Sequence, residues 1–134
     1  MDDADKYKLE ELVKELEGYR GRHTELVTVL IPAGANIYTI ADQIAAEGST
    51  ADNIKSKTTR KNVVDALDMI SREFKKYKQT PPNGMAIFAG NISDKEGQTD
   101  LRLWVIEPPI PLKTRMYRCD QTFVIQPLQE MREV

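Results

Sequence analysis

Five apolar residues, Val63, Leu67, Ile70, Phe74 and Tyr77, recur at spacings of four, three, four and three, which is the pattern of one buried helix face. The series predicts a long helix from about Lys57 to Lys78, and Pro81-Pro82-Asn83-Gly84 stops it. That stop divides the chain. After it, "MAIFAGNI", "LRLWVI" and "RMYRCDQTFVI" read as three strands, joined by the turn-rich "SDKEGQTD" and the rigid "EPPIPLK". "PLQEMREV" reads as a final helix with Pro127 in its first turn.

Before the long helix the pattern is mixed. Leu9, Leu12, Val13, Leu16 and Tyr19 predict an amphipathic helix over residues 3–19, with Asp2, Asp3 or Asp5 as its cap and Gly18 or Gly21 as its stop. "ELVTVLIP", Glu25 to Pro32, is a short β-branched run that reads as a buried strand. Asn36 can cap a helix presenting Ile37, Ile40, Ala41 and Ile44, with its end expected near Gly48. The order helix, strand, helix, helix, three strands, helix predicts an α+β domain: a four-stranded, mostly antiparallel sheet covered by helices. Its two consecutive helices should form a protruding hairpin with Asn53-Ile54-Lys55-Ser56 at the tip.

With 134 residues, 40% of them hydrophobic, the chain has the size of one domain able to build its own core. No segment approaches the roughly 18 apolar residues of a membrane helix, and the acidic start "MDDADKYKLEEL" is unlike a signal peptide. The expectation is a cytoplasmic domain without a membrane partner. One cysteine, Cys119, and one histidine, His23, cannot assemble a disulfide or the usual zinc spacings, so no metal and no cofactor are expected.

The net charge of −2 hides an uneven distribution. Residues 1–50 sum to −5, residues 51–80 to +4 and residues 81–134 to −1. The positive charge therefore sits around the hairpin tip. A helix start ordinarily favours acids, because its free N–H groups and dipole are positive; here Lys55, Lys57, Arg60 and Lys61 follow Asp52 with no acid among them. From spacing alone, a solvated basic face and a phosphate contact both stay open.

"TADNIKS", Thr50 to Ser56, resembles the Asn-Ile-Lys-Ser motif of class 1 translation termination (peptide chain release) factors of the archaeal and eukaryotic type. The likeness continues through Pro81-Pro82-Asn83-Gly84 to "YRCDQTF", where Tyr117, Cys119 and Phe123 match the family's Tyr-x-Cys-x-x-x-Phe motif. It covers essentially the whole chain and is greatest toward the archaeal branch. The resemblance implies that residues 1–134 are the N-terminal, stop-codon-recognition domain of a larger factor. Its partners would be the stop codon of a messenger RNA, small-subunit ribosomal RNA and, for the full-length factor, a translational GTPase. The chain itself is expected to be a monomer.

By resemblance, Asn53 and Lys55 contact the first-position uracil, whose carbonyl oxygens accept hydrogen bonds, while Ile54, Ser56 and Thr50 belong to the same motif. Lys57 and Arg60, one turn on, would hold RNA phosphates. Glu47 aligns with a glutamate used at the purine positions, where a carboxylate suits an adenine amino group. Tyr117 and Cys119 would line the same surface, with Phe123 packed beneath them. Where eukaryotic members carry Gly-Thr-Ser, this chain has His23-Thr24-Glu25, so only Thr24 carries over, and Gly48-Ser49 replaces a Phe-Gly.

The family triggers peptide release with a Gly-Gly-Gln motif in another domain, and no Gly-Gly-Gln occurs here. The chain is therefore expected to decode without being an enzyme. A Cys119 nucleophile would need His23, the only imidazole, as its base. A related ribosome-rescue factor, docking in an empty decoding site, is the alternative reading, and the Asn53-to-Ser56 motif argues against it. A protein-interaction module would show no dependence on codon identity.

Overall fold

In the computed structural model, which describes residues 2–133, the chain runs α1 (Asp3–Glu17), β1 (Leu26–Ile31), α2 (Ile37–Ala51), α3 (Lys57–Phe74), β2 (Met85–Asn91), β3 (Leu101–Ile106), β4 (Met116–Asp120) and α4 (Gln126–Met131). This is the expected α+β order. The strands form one sheet in the order β3-β2-β1-β4, and every pairing is antiparallel.

β1 and β2 lie in the middle of the sheet and are buried along their whole length, which is why their sequences read as continuous apolar runs. Alternate residues feed two separate cores. Val27, Val29 and Ile31 join Ile87 and Ala89 under α2 and α3. Leu26 and Leu30 join Phe88 under α1 and α4. The helices thus cover both faces.

The helix starts follow the capping rule, a side-chain oxygen taking up an N–H that lacks a partner in the first turn. Asp2 accepts from the Asp5 amide, Asn36 from the Tyr38 amide and Ser56 from the Thr59 amide. Three helix ends differ from expectation, α1 closing at Glu17, two residues before the expected end, with Gly18 as its cap. α2 passes through Gly48 and ends at Ala51, because nothing at Gly48 demands a left-handed turn and Ala51 is buried against the core. α3 ends at Phe74 rather than Lys78; the amides of Lys75, Lys76 and Tyr77 bond carbonyls three residues back, and the chain tightens out of the helix.

The last predicted strand is shorter than its apolar stretch. β4 stops at Asp120, and a bend precedes Phe123. At the opposite end of the sheet, Gly84 turns the chain into β2 with φ of 83°, and a Cβ there would lie 2.3 Å from the Ile31 carbonyl oxygen. No other residue fits that position.

Candidate nucleic-acid interface

α2 leaves its last turn through three successive tight bonds: Asp52 to Ser49, Asn53 to Thr50 and Ile54 to Ala51, the last two at 3.0 Å. Ser56 then caps α3. Ile54 is half-buried and packs against the α2/α3 core, anchoring the tip from below. The half-buried Arg60 guanidinium donates from Nη1 to the Ile54 carbonyl at 3.2 Å, so this cation also braces the turn. Asn53, Lys55, Ser56 and Lys57 are exposed. The Thr50 hydroxyl donates back to the Ala46 carbonyl within α2.

Tyr117 and Cys119 alternate on β4 and therefore point to the same face, toward α2 and α3. The Tyr117 hydroxyl and the Cys119 Sγ are 3.1 Å apart. Burial pushes the Tyr117 phenol far above its ordinary value, and the bond to Cys119 and the charge of Glu47 push the same way. Burial also raises the Cys119 thiol; the Tyr117 hydrogen bond opposes this and the Glu47 charge adds to it. Glu47, on α2, thus faces both groups. Arg115 fixes the approach of β4 to α2, donating to Gln43 Oε1 at 2.8 Å, one helical turn before Glu47.

The outcome is a patch with a carboxylate that only accepts and a neutral phenol and thiol that can donate. Cys119 is a protonated thiol paired with a phenol, which is the wrong state and the wrong partner for a nucleophile.

Register places the remaining residues. Leu26 pairs with Asp120 and Val27 with Ala89, so the approach to β1, the end of β2 and the end of β4 share one end of the sheet. The bond from Asn62 Nδ2 to the Glu25 carboxylate, 2.8 Å, brings the second turn of α3 to that same end. Exposed Thr24 therefore sits beside the tip, and its neighbours His23 and Glu25 line one cavity with Ser56 and Thr58.

Phe123 is the exception. Instead of lying beneath Tyr117 and Cys119 on their face, it is 5% exposed in the other core, edge-on to Phe88 at 5.6 Å and to Trp104 at 5.5 Å. Sequence reasoning also missed Glu25, Asn62 and Asn91, three buried polar residues in hydrogen-bond sequence. The available signals were an acid opening an apolar strand and an Asn on the buried stripe of α3. Among the described residues no cluster of three His, Cys, Asp or Glu could hold a metal, and no helix is long and apolar enough to cross a membrane.

Residues 4–133 match the family described as eRF1 domain 1. The chain is 55% identical over 132 residues to peptide chain release factor subunit 1 of Pyrococcus abyssi, covering 98% of this chain and 32% of that protein. The corresponding protein of Thermococcus kodakarensis is 55% identical over 131 residues, with 98% and 32% coverage. A crystal structure of an archaeal translation termination factor, aRF1, matches the fold with a TM-score of 0.85 at 31% identity, over 95% of this chain and 34% of that one. The chain spans about a third of the length of these relatives. With both motifs in order and the family's fold over nearly every residue, the chain belongs to the eRF1 domain 1 family, and its relatives are archaeal peptide chain release factors.

Proposed function

We propose that this domain recognises the stop codon of a messenger RNA in the ribosomal decoding site during translation termination. One observation carries the reading: the exposed tip residues Asn53 and Lys55 share an end of the sheet with Thr24 and the Glu47, Tyr117, Cys119 patch. Single-stranded RNA is read by hydrogen bonds to base edges and by stacking on planar groups, and this surface offers both. The Asn53 amide and the Lys55 ammonium donate to the carbonyl oxygens of a first-position uracil. The Glu47 carboxylate accepts from a purine amino group, and the Tyr117 ring gives a stacking face.

Ile54 and Arg60 hold the tip in shape, while Ser56 starts α3 and Lys57 supplies positive charge for an RNA phosphate. A good base contact discriminates by roughly 1–3 kcal/mol, so three positions provide about 3–9 kcal/mol. Ordering a free strand consumes much of that gain, so the domain works on a codon already held by the ribosome. Release chemistry belongs to another part of the full-length factor, this domain being non-catalytic and monomeric. Its partners are the stop codon, small-subunit ribosomal RNA and, through the whole factor, a translational GTPase in the cytoplasm.

The test is peptide release from programmed ribosomes, with this domain joined to the remaining domains of an archaeal relative. Release should require a stop codon. Lys55→Ala should reduce it at all stop codons, and Glu47→Ala should alter the preference among purines. Release that ignores codon identity, with both substitutions silent, would instead support a rescue factor docking in an empty site.

A further inference from the structure

The hairpin of α2 and α3 has a base as well as a tip, and half of the excess positive charge lies toward the base. Residues 51–65 carry four cations against two acids, and residues 66–80 carry another four against two. The second group, Arg72, Lys75, Lys76 and Lys78, closes α3, which over its 18 residues rises about 27 Å from the tip. Cations suit the end of a helix on dipole grounds alone, so the partners of each decide what is left over. Arg72 is taken by Asp68, and Lys76 by the buried Glu73 at 2.9 Å. Lys75 and Lys78 are exposed and have no acidic partner among the described residues.

Three hydrogen bonds gather other segments around this end. Thr80 Oγ1 donates to the Ala35 carbonyl at 2.5 Å, the Ala33 amide to the Leu112 carbonyl at 2.8 Å and the Leu112 amide to the Asn83 carbonyl at 2.9 Å. The start of α2, the exit from α3 and the β3–β4 connection therefore meet at the base of the hairpin. This brings Tyr38 and Lys113 to the same end as Lys78. Lys113 is exposed and likewise has no acidic partner among the described residues. Tyr38, on the first turn of α2, is 61% exposed and takes no part in the aromatic contacts of the core. Glu107, whose charge reaches Tyr77, and Asp42, one turn into α2, are the acids that border the patch.

We propose that the base of the hairpin is a second RNA contact, which seats the domain on ribosomal RNA. Lys75, Lys78 and Lys113 meet phosphates of its backbone, and the Tyr38 ring stacks on an unpaired base. The composition favours RNA over protein as the occupant: protein interfaces are depleted in lysine, whereas a phosphate backbone attracts unpaired lysines and an exposed aromatic ring gives a base a stacking face. The choice of ribosomal RNA rests on the reading of the domain as one that works in the decoding site. The contact is for anchoring, because phosphate contacts fix position and carry no sequence information. Codon choice stays with the tip, at the other end of α3.

The experiment measures binding of the full-length factor carrying this domain to programmed ribosomes across a range of salt concentrations. Lys75→Ala combined with Lys78→Ala should weaken binding and lower the slope of log K against log salt by about 1–2, one phosphate for each lysine. The preference among codons should stay that of the wild type. Both side chains are exposed, so the unfolding midpoint should hold. With Tyr38→p-benzoylphenylalanine, irradiation of the ribosome-bound factor should give a crosslink to ribosomal RNA. A salt slope equal to that of the wild type would overturn the proposal. So would crosslinks confined to ribosomal protein, transfer RNA, message or the other domains of the factor. Decoding is scored separately, by dependence of release on codon identity, so either reading can fail while the other stands.

Discussion

Tyr117 and Cys119 lie within six residues of Phe123, yet the sheet puts them to different uses. The first two sit half-buried beside Glu47, their polar atoms on each other and their surroundings titratable. Phe123 is packed in a dry aromatic cluster with Phe88 and Trp104 on the far face. One sequence motif therefore combines a half-buried polar pair with an anchor that holds the end of β4 in place. Recognition and stability should be separable by mutation.

The largest expected effect is on the anchor. Phe123→Ala should cost about 3–5 kcal/mol of stability, measured by denaturant unfolding, with any loss of decoding following from the fraction unfolded. Lys55→Ala should do the reverse: the unfolding midpoint stays put, while release at a stop codon falls by roughly 5- to 150-fold, equivalent to about 1–3 kcal/mol. If Lys55→Ala also unfolds the domain, the separation fails.

Ser56→Ala stands between the two classes. It removes the hydroxyl that accepts the Thr59 amide and should cost about 1 kcal/mol, loosening the tip as well. Tyr117→Phe should cost about 0.5–1.5 kcal/mol through the lost contact with Cys119. It also changes the alkaline limb of stability. Because the folded phenol is raised above its unfolded value, its contribution is complete below the unfolded value near 10 and is lost as pH rises toward the folded one. Wild type should therefore lose stability above about pH 10 more steeply than Tyr117→Phe. Smallest of all, Cys119 should react with iodoacetamide at pH 8 more slowly in the folded chain than after denaturation, since burial keeps it a thiol.

The parts legible from the sequence were those set by local periodicity and caps. Val63, Leu67, Ile70 and Phe74 marked the buried face of α3, and Asn36 announced the start of α2. Gly48 misled because glycine can also sit in an ordinary helical conformation, and only the burial of Ala51 extends α2 past it. Phe123 is a core residue, but it lies on the face opposite to the one the resemblance implied, because β4 ends at Asp120 and a bend precedes it.

Glu25, Asn62 and Asn91 were only faintly marked in the local sequence. Their partners lie 37 and 29 positions away, and each residue taken alone looks like an ordinary polar side chain. The tip was different: its charge pattern and motif were both in the sequence, and the structure added the distinction between Arg60 and Ile54, which brace the turn, and Asn53 and Lys55, which are exposed at it.

The central claim is that the Asn53–Ser56 tip meets the first base of a stop codon. A message with 4-thiouridine at that position, on ribosomes bound by the full-length factor carrying this domain, tests it most directly, with the crosslinked peptide identified by mass spectrometry. The account predicts a crosslink within the peptide containing Asn53 and Lys55, present at a stop codon and lost when a sense codon replaces it. Crosslinks of equal strength at sense codons, or to a peptide elsewhere in the domain, would contradict it.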